Sequence, residues 1–134
     1  MDIATRVRAN SWRVDVASEQ LHLTHNLFAI LGSSLNLDNR VWDTFQVTPK
    51  MPTYLVAFVV CEYSYITDAA KFISVYVREN AIQYARYAQE AATKMIKQME
   101  LYTGIRYSLP KMDLVTVPHF RSGAMENWGL TTYR

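Results

Sequence analysis

A single cysteine, Cys61, stands among 134 residues, so the chain forms no internal disulfide and supplies no C-x-x-C metal motif. Four glycines and four prolines are too few for a collagen-like or low-complexity sequence. The longest apolar run, residues 54–61, is eight residues long. A helix crossing a bilayer needs roughly 18 to 20, so no membrane span is expected in this chain. The first twenty residues mix arginines with acids and contain no apolar stretch of the kind a secretory signal requires. There is no N-x-S/T sequon. Fourteen basic residues against twelve acidic ones leave a formal charge of +2, which gives no electrostatic ground for a nucleic-acid partner.

What is present is interior. Half the residues are hydrophobic and 19% are charged, a composition that belongs in a packed core. The length corresponds to one domain at most, at roughly 100 to 200 residues per domain.

The patterning predicts a mixed α/β arrangement. LHLTHNLFAILG reads as a short helix or a strand ending at Gly32, because a short apolar run does not separate the two. VWDTFQV, the turn TPKMP and the run YLVAFVVC read as two strands and a connection. The second, apolar on both faces, is expected in the middle of a sheet. FISVYV, residues 72–77, is a further strand. From Asn80 the apolar residues Ile82, Ala85, Ala88, Ala92, Met95, Met99 and Tyr102 recur at steps of three and four, the pattern of an amphipathic helix. Asn80 is placed as its N-cap and Gly104 as its left-handed C-cap. Such a helix, about 34 Å long at 1.5 Å per residue, calls for a larger body than this chain offers. MDLVTV is a strand ended by Pro118, and LTTY is another.

Few residues carry chemistry. His22 and His25 lie three apart, but a zinc site needs three or four ligands, and His119 is the only other histidine. H-E-x-x-H, G-x-S-x-G, G-x-x-x-x-G-K and G-x-G-x-x-G are all absent. Six basic residues against three acids between Arg78 and Lys111 read as the solvated face of the helix. GAMENWG, residues 123–129, stands apart. A lone carboxylate, Glu126, sits between Met125 and Trp128 with glycines on both sides, where a ligand can approach the backbone and a cation can meet the carboxylate. A glycine-rich edge turn with an exposed glutamate fits the same residues equally well.

YSLPKMDLVTVPHFRSGAMENWGLTTYR resembles the aminopeptidase N family of zinc metallopeptidases, whose exopeptidase signature is G-x-M-E-N followed by W-G. The resemblance runs upstream through the long helix and FQVTPKMPTYLVAFVVCEY, and so covers about residues 41–134. It implies an α/β fragment: residues 41–79 as the last strands of an N-terminal β-domain, and residues 80–134 as the start of a thermolysin-like catalytic domain, with its long helix and strands. Residues 1–40 show no such resemblance.

By the same resemblance Glu126 binds the free α-amino group of a peptide substrate. An amine of pKa about 7.7 to 8.0 is largely protonated at neutral pH, so a carboxylate can select peptide ends. The backbone at Gly123 and Ala124 would align the scissile peptide, Met125 would line the first side-chain pocket, and Asn127 would help shape the amine site. The expected partners are a peptide, through its N-terminus, and the remainder of the catalytic domain.

The family's zinc, held by H-E-x-x-H and a distant glutamate, is expected from residues downstream of Arg134, so no metal ligand and no catalytic residue is assigned here. Alone, the chain is expected not to hydrolyse peptides. The rival reading is a non-catalytic peptide-binding or regulatory fragment, or an unstable remnant. The sequence departs from the family at His119, where aspartate is common. The resemblance suggests a plasma-membrane ectoenzyme or an extracellular enzyme, with a cytosolic relative as the alternative.

Overall fold

The computed structural model describes residues 49–134 throughout and, before them, the backbone of five strands. These are β1 (Arg6–Val7), β2 (Asp15–Val16), β3 (His22–His25), β4 (Ile30–Leu35) and β5 (Val41–Phe45). They are followed by β6 (Met51–Pro52), β7 (Phe58–Cys61), β8 (Ser64–Thr67), β9 (Ile73–Val77), the helix α1 (Ile82–Thr103), β10 (Met112–Thr116), β11 (Ala124–Met125) and β12 (Leu130–Tyr133). The mixed α/β class expected from the sequence is observed. Among the described residues no helix is long and apolar enough to cross a membrane.

The largest sheet runs β11-β12-β10-β9-β8. β9 and β10 are parallel and α1 connects them, the βαβ arrangement that a parallel pair requires. β10 is also parallel to β12, while β8 and β11 run antiparallel to their neighbours at the two edges. Strands from both sides of residue 80 therefore share one hydrogen-bonded sheet. FISVYV earns its central place: Ile73, Val75 and Val77 are buried and pack with Ala85 of α1 and Leu114 of β10. Ile82, Ala88, Ala92 and Ile96 complete that layer. Three alanines on this face let the helix lie close to β8 and β9, and each large apolar side chain buried there contributes about 1.5–3 kcal/mol.

Two loops set the register of this sheet. Between β8 and β9 the Asp68 carboxylate accepts the N–H groups of Phe72 (2.6 Å) and Ile73 (3.0 Å), closing the hairpin. After α1, Gly104 adopts φ 70° and its N–H bonds to the carbonyl of Glu100 at 2.9 Å, the left-handed C-cap expected from the sequence.

Several sequence expectations need correction. Asn80 is not the N-cap. It lies in a 3-10 turn, Glu79–Ala81, where the Ala81 N–H closes onto the Arg78 carbonyl at 2.8 Å, and α1 begins beyond it with Ala81 at the cap and no side-chain cap bond. The helix pattern holds through Ala92 but then diverges: Met95, Met99 and Tyr102 are exposed, and Ile96 turns to the sheet instead.

The run YLVAFVVC is not one central strand. Pro52 leads into a 3-10 turn at Thr53–Leu55, and only Phe58–Cys61 is extended, paired among the described residues with β3 alone. Phe58 is 65% exposed, because one neighbouring strand cannot cover two faces. LHLTHNLFAILG forms strands where it is described. β4 continues past Gly32 to Leu35 after a register shift between Ile30 and Gly32, with Leu21 and residues 26–29 outside the described residues. The expected strand VWDTFQV is extended at Val41–Phe45, and its last two residues lie outside the described ones.

Candidate functional site

The sheet ends on the residues that the sequence singles out. β11 pairs antiparallel with β12 through Ala124 to Tyr133 and Met125 to Thr132, and the Arg134 N–H extends the ladder to the Gly123 carbonyl at 3.0 Å. Being the terminal strand, β11 has no further strand on its outer side among the described residues. Gly123 and Ala124 are exposed and Met125 is half-buried on this edge.

Two turns frame the segment. Before it, Pro118 ends the β10 strand as the sequence predicts, and the Phe120 N–H closes onto the Val117 carbonyl at 3.3 Å, with His119 at φ 56°. Histidine, like aspartate, is among the residues enriched in the left-handed region, so the departure from the family residue keeps a side chain suited to this turn. His119 is exposed. After the segment, the Leu130 N–H closes onto the Asn127 carbonyl at 3.1 Å, and Gly129, at φ 70°, occupies the third position of the turn, which favours glycine.

Glu126 is exposed and lines a cleft of about 290 Å³ whose other walls include Tyr107, Met112, Asn127 and Trp128. Of the five residues singled out, Glu126 and Asn127 line this cleft, whereas Gly123, Ala124 and Met125 lie on the strand edge beside it. Asn127 is buried. Its Nδ2 donates to the Tyr54 carbonyl at 3.3 Å, and its Oδ1 accepts the Thr132 hydroxyl at 3.4 Å, so its side chain fixes the loop from beneath.

Three residues that sequence reasoning missed converge on Gly129. Lys111 Nζ donates to the Asp113 carboxylate at 2.5 Å and to the Gly129 carbonyl at 3.0 Å. The Asp113 N–H also reaches that carbonyl, at 2.9 Å. Tyr107 meets the Gly129 backbone through a hydrogen bond and donates its hydroxyl to the Lys111 carbonyl at 3.3 Å. Burial pushes the Tyr107 phenol up to about 12, with the nearby Asp113 charge adding to it. Burial also pulls Lys111 below the ordinary lysine value, against the opposing pull of Asp113. The signal was in the sequence: K-x-D at a strand start puts opposite charges on one face. The Gly129 contacts, from a distant turn, left no local trace.

No group of three or more His, Cys, Asp or Glu side chains among the described residues is placed to hold a metal. His22 and His25 fall on a strand, where a spacing of three does not bring two positions to one face. The zinc that the family resemblance implies therefore finds no ligand set in these residues.

Residues 87–134 match the model of the Peptidase family M1 domain. The chain is 42% identical over 127 residues to endoplasmic reticulum aminopeptidase 1 of Homo sapiens, a match covering 92% of this chain and 14% of that protein. It is 45% identical over 95 residues to endoplasmic reticulum aminopeptidase 2 of Bos taurus, covering 69% of this chain and 10% of that protein. With the alanine/arginine aminopeptidase of Saccharomyces cerevisiae it shares 37% identity over 127 residues, covering 92% of this chain and 15% of that protein. The chain thus spans between 10% and 15% of the length of these relatives. A match over 92% of the chain also reaches into the first 40 residues, beyond the span on which the resemblance was read.

Proposed function

Because the chain belongs to the aminopeptidase N family of M1 peptidases, we propose that residues 123–127 are the part of a peptidase that grips the free N-terminus of a peptide. The observation that carries this reading is the position of Glu126: an exposed carboxylate on the wall of a cleft lined in part by Tyr107, Met112 and Trp128, next to an open strand edge. A protonated α-amine entering the cleft meets the carboxylate as a charge-assisted hydrogen-bond partner. An acylated or internal nitrogen carries no charge and gains nothing there.

The open edge of β11 supplies the second requirement. An extended peptide can add alongside Gly123–Met125 through main-chain hydrogen bonds, which set its direction without reading its sequence. Met125 then borders the first side chain, and Asn127, held by Tyr54 and Thr132, keeps the Glu126 backbone in place. Hydrolysis itself is not assigned to these residues. The zinc of the family would polarise the scissile carbonyl and activate water, but this sequence contains no H-E-x-x-H to hold it. The separate 134-residue chain is expected not to cleave peptides. The catalytic domain's sheet is proposed to begin at β8 rather than beyond residue 79, because β8 and β9 hydrogen-bond into the sheet that carries β11.

The test is Glu126→Gln in the longer protein that contains this chain. The inhibition constant of an amino-acid amide should rise by about 30-fold or more, as expected when one partner of a charge pair that the bound ligand desolvates is removed. A competitor of the same shape lacking the amine should be unaffected. Equal losses for both would refute amine recognition by Glu126.

A further inference from the structure

Lys111 and Asp113 lie outside the residues that would touch a peptide, yet they are the most deliberately placed charges in the described part of the chain. Both side chains are largely buried, at 17% and 8% exposure, and their 2.5 Å pairing lies inside the protein rather than on its surface. A buried ion pair is weak ground for stability, since desolvating two charges offsets most of their attraction, and apolar residues of like volume often serve as well. Fixing one geometry is a better explanation. Here the geometry is specific, because the Lys111 ammonium also binds the Gly129 carbonyl, which takes a second donor from the Asp113 N–H.

Gly129 is where the loop can be gripped. It sits at φ 70° in the turn that follows Glu126, Asn127 and Trp128, and the Asn127 carbonyl closes that turn onto Leu130. Tyr107 bonds the Gly129 backbone as well, while its hydroxyl donates to the Lys111 carbonyl, so Gly129 is anchored from two directions. Tyr107 and Gly129 both line the cleft that contains Glu126.

We infer that Lys111 and Asp113 are positioning residues for the amine-recognition loop: their ion pair holds the Gly129 carbonyl and so fixes the turn that presents Glu126 to the cleft. The inference rests on the proposed role of Glu126. Its consequence is a separation of effects. Loosening the turn weakens capture of the substrate amine, which appears in KM, and leaves the chemical step, which uses residues elsewhere, nearly unchanged in kcat.

The experiment uses the full-length protein, an aminoacyl 4-nitroanilide as substrate, and three variants. Lys111→Met with Asp113→Leu replaces both charges by apolar side chains of like branching, so neither is left buried without its partner. It is expected to raise KM about tenfold with kcat within about twofold and an unchanged near-ultraviolet circular dichroism spectrum. Lys111→Arg keeps the charge that Asp113 needs but substitutes a larger planar fork for a compact ammonium. It should raise KM several-fold and serves where the double variant does not fold. Glu126→Gln is the reference. If it raises KM while the folded Lys111 variants keep the native KM, the positioning role is overturned and amine recognition stands. If Glu126→Gln leaves KM unchanged, the amine reading fails and this inference fails with it.

Discussion

The side-chain amide of Asn127 donates to the main-chain carbonyl of Tyr54, 73 residues earlier, at 3.3 Å. Tyr54 precedes Leu55, which is buried with Met51 in a small core that Val56 and Leu109 complete. The loop that carries Glu126 is thus tied to a separate packing unit as well as to its own sheet. Replacing Asn127 by alanine removes this tie and the bond to Thr132, and leaving buried polar groups without partners costs about 1–3 kcal/mol. In hydrogen exchange, amides of residues 124–130 should exchange about tenfold faster in Asn127→Ala. Those of α1 should not change. Uniform acceleration across both regions would show that Asn127 supports the whole fold rather than the loop.

Two glycines make opposite predictions. At Gly104 an added Cβ would meet nothing within 4 Å, but φ is +70°, so alanine there is strained by about 1–2 kcal/mol. Gly104→Ala should speed exchange in the last turn of α1 and leave peptide turnover alone. An added Cβ at Gly123 likewise meets nothing within 4 Å, and its backbone carries no such strain. The fold therefore does not demand glycine at Gly123, whereas a peptide lying against the β11 edge would. Gly123→Ala should leave the thermal midpoint of the full-length protein unchanged and lower kcat/KM by about tenfold. Retained kcat/KM would argue against peptide addition at this edge.

Tyr107 gives a pH-dependent signature. Its phenol is raised from 10.0 to about 12. A raised folded-state value contributes stability that is fully present below the unfolded pKa and is lost as pH rises from about 10 through 12. Lys111, lowered by burial, runs the other way: its contribution is present above 10.5 and is lost as pH falls through its folded value. Tyr107 should ionise late in an absorbance titration at 295 nm, and Tyr107→Phe should remove that late component. An unchanged titration curve in Tyr107→Phe would contradict the buried position.

The apolar surface of the separate chain should be sticky. Tyr102 is 86% exposed and Leu101 76%, and a groove of about 380 Å³ between α1 and β10 is lined by apolar residues including Val77, Ala85, Met95 and Leu114. Surfaces of this size and character on an isolated polypeptide promote association. The 134-residue chain should bind a hydrophobic dye and elute as aggregates in size exclusion. A monodisperse monomer without dye binding would count against it.

Much of the fold was legible because the signals were local. The left-handed Gly104, the strand stop at Pro118 and the first half of the amphipathic helix follow from residues within a turn or two of each other. Asn80 misled because a residue suited to capping also fits a 3-10 turn, and nothing nearby distinguishes them. Met95, Met99 and Tyr102 continue a helical stripe that the described residues do not cover, so periodicity reported an apolar face and not a buried one. The carboxylate of Glu126 stood out through its glycine-flanked setting. Lys111, Asp113 and Tyr107 did not, because their common partner, Gly129, lies at the far end of β10's connection to β12 and only the folded sheet brings them together.

The most direct test compares one peptide with a free N-terminus and the same peptide N-acetylated, as substrates of the full-length protein. Amine capture by Glu126 predicts that acetylation lowers kcat/KM by at least about 100-fold, and that Glu126→Gln shrinks this ratio by about 30-fold by impairing only the free peptide. Comparable cleavage of the two peptides, or a ratio that survives Glu126→Gln, would contradict it.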